Sequence, residues 1–334
     1  MTEAYTNATV PPLLLPRLQR FQGERVFYAV SPGGTVVMKR AGDMTPQERA
    51  LVEQTQSRES HFRVPTESID LAPRRLRPLS SLRASDSGRI CGPKAAKMGD
   101  LNALFPRRVP SGLVLPFGVF RAHMDQPMPG TGGSYWEFLQ ATFADDTRRT
   151  NEKALLARLD QLRNAMHTMP LQAALVAELR EAFPVVFGQR LGQVPVFVRS
   201  DTNMEDLQDF TGAGLNLTVP NVVGETAILD AIRRVWASAY SERSYRWRQR
   251  LLKNPLDVYP SVLLLRSVNT DASGVLLTTG LATGSSRDIT VAFNRGVGGA
   301  VEGQAAEMWL LREDGSDELL TPAREPTYRV LPDG

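Results

Sequence analysis

Apolar and polar positions change period several times along the chain, and each change predicts an element. In "RVFYAVSPGGTVVMKR" two β-rich runs flank Ser-Pro-Gly-Gly, which predicts a hairpin. "TPQERALVEQTQSRES" predicts a helix, with Thr45 as N-cap and Glu48 three residues on. "IDLAPRRLRPLSSLRASDSGR", with its Pro, Ser and Arg, reads as a linker. From Gly92 the texture changes. "GPKAAKMGDLNALF" has helical spacing after its Gly-Pro start, and "VPSGLVLPFGVF" reads as extended. "GSYWEFLQATF", "NEKALLARLDQLRNAM" and "LQAALVAELREAF" predict helices. "VFVRSDTNMEDLQDFTGAGLNLTVPNV", from Val196 to Val222, predicts strand, polar loop, strand. "GETAILDAIRRVWASAYSERSYRWRQRLLKN" predicts one long helical segment, with Ile228, Ile232, Val235 and Ala239 on one face. The strands "SVLLLRSV", "SGVLLTTG" and "DITVAFNRG" follow, then a hairpin around "EDGSD". An α+β region thus precedes a region made mostly of strands.

Composition narrows the function classes. A chain of 334 residues holds one large or two to three ordinary domains, and 42% apolar residues suffice for a sizeable core. With 39 basic against 36 acidic side chains, it lacks the concentrated positive charge of a nucleic-acid binder. The basic runs "APRRLRPL" and "SYRWRQRLLK" read as solvated faces, the Tyr and Trp of the second packing at helical spacing. Cys91 is the lone cysteine, which excludes an internal disulfide and a Cys-cluster metal site and favours a reducing, cytoplasmic setting. His61, His123 and His167 lie far apart in sequence. The first residues lack a secretory pattern, and no apolar run has the length of a membrane span.

Three features carry candidate chemistry. Arg199 ends an apolar strand, where a guanidinium must find water or an anion. Gly212 and Gly214 beyond it would let backbone amides approach phosphate oxygens. Lys94 opens a helical segment, and helix N-termini favour anions. "FNRGVGGAVEGQAAE" adds a Gly-rich connector after a strand. Together they point to a nucleotide polyphosphate, although neither a P-loop nor a Rossmann fingerprint occurs.

The stretch "VPVFVRSDTNMEDLQDFTGAGLNLTVPNV" resembles the nucleotide-binding signature of the pyruvate phosphate dikinase and phosphoenolpyruvate synthase family. Its end is also similar to the glucan water dikinase version. "GPKAAKMGDL…VPSGLVLPFGVF", "VWASAYSERSYRWR" and "SGVLLT…ITVAFNRGVGGAVEGQ" resemble three further family segments in the same order, from about Gly92 to Gln304. The resemblance implies an ATP-grasp fold in which two α+β lobes hold ATP. It implies ATP and Mg²⁺ as cofactors, a phosphoryl group passed to a histidine on a separate swivelling domain, and an acceptor such as pyruvate. Lys94 and Arg199 fall on the phosphate-contacting lysine and arginine. Gly212 falls on the loop over the phosphates, and Asn216, Leu217 and Leu265 on positions that line the nucleotide. The implied organisation is an N-terminal extension over 1–88, a first lobe over 89–260 and an incomplete second lobe over 261–334. The metal ligands, the phosphohistidine domain and the acceptor-binding domain are then expected beyond this chain or in trans.

Four departures accompany the resemblance. The second Ser of the usual R-S-S is Asp201, a carboxylate that would repel phosphate unless it points away or meets a metal. Leu265 stands where a Gln usually meets adenine. After Gln304 neither an acidic metal ligand nor a Q-x-R strand follows, and no histidine sits in a Thr-Ser-His type of loop. A non-catalytic, nucleotide-binding relic of the fold is the alternative these departures favour.

Overall fold

A computed structural model describes residues 20–30, 36–59, 66–144, 151–205, 217–248, 252, 254–296 and 306–322. The chain divides into two units, Glu59–Val268 and Met1–Arg58 with Asn269–Gly334. It is a mixed α+β protein. Among the described residues no helix is long and apolar enough to cross a membrane.

In the second of these units, β1 (Val26–Val30) and β2 (Val36–Arg40) form the expected antiparallel hairpin. Helix α1 (Pro46–Glu59) follows. Its capping box is the one read from the sequence: Thr45 N–H donates to Glu48 Oε2 at 2.7 Å, and Glu48 N–H donates to Thr45 Oγ1 at 3.2 Å. Lys39 on β2 pairs with Glu48 at 2.8 Å, which ties hairpin to helix.

The larger unit is built on a five-stranded sheet. Its strands are β3 (Arg77–Pro78), β4 (Gly112–Leu115), β5 (Val196–Thr202), β6 (Thr218–Val222) and β7 (Pro260–Arg266), in the order β3-β4-β7-β5-β6, with every pair antiparallel. The run "SVLLL" fits its central place, since a strand with neighbours on both sides and layers on both faces is apolar throughout. The sequence leads one to expect a lobe boundary at 260/261, and the ladder sets this strand between β4 and β5 in the five-stranded sheet.

Side chains leave the sheet alternately on two faces. Leu113, Leu115, Val196, Val198, Val262 and Leu264 enter the main core. There they meet α3 (Phe117–Met124), α4 (Tyr135–Ala144), α5 (Glu152–His167), α6 (Ala173–Phe187) and α7 (Glu225–Ser238) through residues such as Phe120, Leu139, Leu162, Phe183 and Trp236. Val114, Phe197, Leu263 and Leu265 face the other way, onto α2 (Pro93–Leu104) and a smaller cluster of Leu79, Leu82, Ile90, Cys91, Ala95 and Ala96.

Three local expectations change. The 69–89 stretch is no linker: Leu76, Leu79 and Leu82 are buried, and Arg75 donates to Glu178 at 2.7 Å. "PFGVF" is helix α3, not extended chain. The expected long helical segment breaks at residues 239–241, and a short helix α8 (Glu242–Arg248) restarts with the Ser241 hydroxyl accepting Ser244 N–H at 3.2 Å.

The remaining strands, β8 (Ala272–Leu277), β9 (Ile289–Arg295), β10 (Glu307–Leu311) and β11 (Asp317–Thr321), form an antiparallel sheet in the order β11-β10-β9-β8. The hairpin expected around "EDGSD" is β10–β11.

Candidate functional site

The site grows from β5. Its ladder sets Arg199 opposite Leu263 on β7 and Thr218 on β6, with Phe197, Arg199 and Asp201 on the face that α2 covers. Arg199 is partly buried, and its buried Nε has no hydrogen-bond partner among the described residues. Leaving such a donor unmet costs about 1–3 kcal/mol, and more when the group is charged. An anion at this place would remove that cost.

Lys94 is the second residue of α2, and the fold brings it to the same strand. Its Nζ donates to the Ser200 carbonyl at 3.2 Å and to Glu205 Oε2 at 2.5 Å. The other oxygen of Glu205 accepts from the Ser200 hydroxyl at 3.2 Å. Glu205 is buried, with 3% of its side chain exposed, whereas Lys94 keeps 31%. Both cations inferred from the sequence therefore converge on one stretch of β5.

Asp201 points away from solvent and is fully buried. Its carboxylate accepts Lys94 N–H at 2.8 Å, Gly92 N–H at 2.9 Å and the Ser261 hydroxyl at 2.9 Å. It caps α2 from a neighbouring strand. The sequence reading offered that helix N-terminus to a ligand anion; the protein supplies its own. Gly92 is required here, because a Cβ would stand 2.4 Å from Asp201 Oδ1. Burial pushes the Asp201 carboxyl up to about 6, and the charge of Glu205 adds to this. Lys94, the Ser261 hydroxyl and the Lys94 amide oppose it.

The other candidates separate. Gly212, Gly214 and Asn216 lie outside the described residues. Leu217 is half-buried against the main core, its carbonyl accepting Ser200 N–H at 3.2 Å and its N–H donating to Ser238 Oγ at 3.1 Å. Leu265 is buried under α2, opposite Gly112 and Phe197. Cys91 is buried and its thiol raised by that burial, which suits packing and not nucleophilic attack. Among the described residues no group of three His, Cys, Asp or Glu side chains could hold a metal ion.

Neither Glu205 nor Ser261 carries a role in the sequence reading, although Glu205 lies within the stretch that resembles the nucleotide-binding signature. Ser261 gave no local signal, because its partner Asp201 is 60 residues away in sequence.

Residues 89–310 match the family described as pyruvate phosphate dikinase, AMP/ATP-binding domain, and the chain belongs to that family. By family it is a nucleotide-binding module. It is similar to a rifampicin phosphotransferase of a Streptomyces species, 33% identical over 211 residues, which cover 63% of this chain and 23% of that protein. It is also similar to the phosphoenolpyruvate synthase of Pyrococcus furiosus, 27% identical over 167 residues, covering 49% of this chain and 20% of that protein. A probable phosphoenolpyruvate synthase of Archaeoglobus fulgidus is 28% identical over 201 residues, with 60% and 26% covered. The aligned part spans about a quarter of the length of these relatives.

Proposed function

We propose that this chain binds ATP through its phosphates, with Lys94 and Arg199 as the two cations that hold them. The observation that carries the reading is the buried, unpartnered Nε of Arg199 on the strand to which Lys94 is anchored. A guanidinium fork suits phosphate oxygens, and phosphoryl transfer depends mainly on positioning and charge stabilisation. The formal charges of Lys94 and Arg199 cancel those of Asp201 and Glu205. A neutral cluster favours the magnesium complex of ATP over the free tetra-anion, with the metal's protein ligands outside the described residues. Gly212, Gly214 and Asn216 would close over the phosphates, and Leu217 would stand beside the nucleotide.

The Glu59–Val268 unit would be the first lobe of an ATP-grasp fold, and the strands from β8 onward would begin the second. In the whole protein, the phosphoryl group would pass to a histidine on a separate swivelling domain and then to an acceptor. The names of the relatives give two acceptor chemistries, rifampicin and the pyruvate–phosphoenolpyruvate pair. That range supports a shared ATP end, with the acceptor, pyruvate for example, chosen by another domain.

A non-catalytic nucleotide-binding role is favoured by one observation: Glu205 already occupies Lys94. Thermal melting with Mg-ATP, Mg-GTP and magnesium tripolyphosphate tests the binding claim. Stabilisation by Mg-ATP and by tripolyphosphate is expected. No stabilisation by either would overturn it.

A further inference from the structure

We infer that Asp201 is a positioning residue for the nucleotide, joining the first turn of α2 to β5 so that Lys94 and Arg199 stand at a set separation. This rests on the nucleotide-binding reading above and adds a residue to it.

Three elements meet at this one carboxylate. Oδ1 accepts Lys94 N–H at 2.8 Å, and Oδ2 accepts Gly92 N–H at 2.9 Å, so both oxygens grip the start of α2. Ser261 of β7 donates to Oδ2 at 2.9 Å and, from the same hydroxyl, lies 2.6 Å from the Asp201 carbonyl; it also accepts Gly92 N–H at 3.1 Å. Lys94 is therefore fixed at both ends. Its backbone hangs from the residue two places beyond Arg199, and its ammonium returns to the carbonyl one place beyond Arg199. Arg199 is itself set by ladder partners on both sides. Displacing the Lys94 backbone relative to β5 requires the Asp201 bonds to break. A neutral side chain of the same shape could accept one of the two amides but not both.

A role in positioning differs from a role in stability alone by its dependence on Lys94. Mg-ATP affinity is measured by calorimetry on the full chain at 15 °C, where near-ultraviolet dichroism confirms the fold of each variant. The variants are Asp201→Asn, Lys94→Met and the double variant, a cycle that isolates coupling between the two residues. Asp201→Asn is expected to weaken Mg-ATP at least tenfold in the wild-type background and less than twofold in the Lys94→Met background. Equal losses in both backgrounds, or none in either, would overturn the positioning role while leaving nucleotide binding intact. Absence of Mg-ATP binding by the wild-type chain would instead overturn the nucleotide reading and this inference with it. Ser261→Ala removes one donor and leaves the carboxylate, so it decides the matter should Asp201→Asn not fold. A loss of about threefold that disappears with Lys94→Met supports the inference, and an undiminished loss contradicts it.

Discussion

The carboxylate of Asp201 accepts the backbone N–H of Lys94 at 2.8 Å, so a strand residue caps the helix that carries the site's lysine. The anion that this helix end favours is internal, and in the proposed site the side chains of Lys94 and Arg199 would be the groups that meet a ligand.

That arrangement has a pH signature. Asp201 is raised to about 6 from an ordinary value of 3.8, so the folded state holds its proton more tightly than the unfolded chain. Its contribution to stability is full below pH 4 and is lost as pH rises through 6. Relative to Asp201→Asn, which does not titrate, the wild type should lose about 2 kcal/mol between pH 4 and 7. Urea unfolding of both proteins across this range is the check. Parallel stability curves would contradict the assignment.

His123 should act in the opposite direction. Its Nδ1 lies 2.8 Å from the Val119 carbonyl and its Nε2 accepts Gln172 N–H at 3.0 Å, an arrangement that needs the neutral ring with the proton on Nδ1. Burial holds its pKa below the usual histidine value of 6.5, with the nearby Arg233 charge in support. A lowered histidine contributes stability that is present above pH 6.5 and is lost as pH falls. His123→Gln should flatten that acid limb, read from the melting temperature between pH 7 and 5. An unchanged acid limb would count against it.

Lys94 holds structure as well as charge. Lys94→Ala would remove the 2.5 Å ion pair of the buried Glu205, at a cost of about 1–3 kcal/mol or more for a charged group. Adding Glu205→Gln to Lys94→Ala should restore part of that stability. Denaturation midpoints of the single and double variants measure it, and a double variant less stable than Lys94→Ala would refute the pairing. Loss of activity in Lys94→Ala alone therefore mixes two effects.

Gly99 tests the packing of α2. Alanine is the better helix former by about 1 kcal/mol, yet a Cβ here would stand 2.4 Å from the Leu82 carbonyl oxygen. Backbone cannot step aside as a side-chain tip can, so Gly99→Ala should destabilise by about 1–3 kcal/mol net. A stabilised variant would show that the 79–82 turn yields.

What the sequence disclosed follows from the range of each interaction. The Thr45–Glu48 capping box, the strand–loop–strand around Arg199 and the β10–β11 hairpin rest on neighbours, and they are legible. Leu79 and Leu82 are not, because they open and cap a short 3₁₀ turn among Pro, Ser and Arg, where no helical or strand period marks burial. The break before α8 rests on one serine cap inside a continuous helical pattern. The place of β7 depends on pairing with β4 and β5, which carries no local mark. Lys94 and Arg199 could be singled out by charge and context. The Asp201 clamp could not, since Gly92, Asp201 and Ser261 meet only in three dimensions, and Asp201 on its own read as a group that repels phosphate.

The most direct test of the phosphate site is calorimetric titration of the wild-type chain and of Arg199→Ala with Mg-ATP. Arg199 is only partly buried and its Nε has no partner to strand, so its removal should leave the fold intact. Saturable binding by the wild type, weakened at least tenfold in Arg199→Ala, is the expected result. Equal affinity in the two proteins would show that the triphosphate does not lie at this strand.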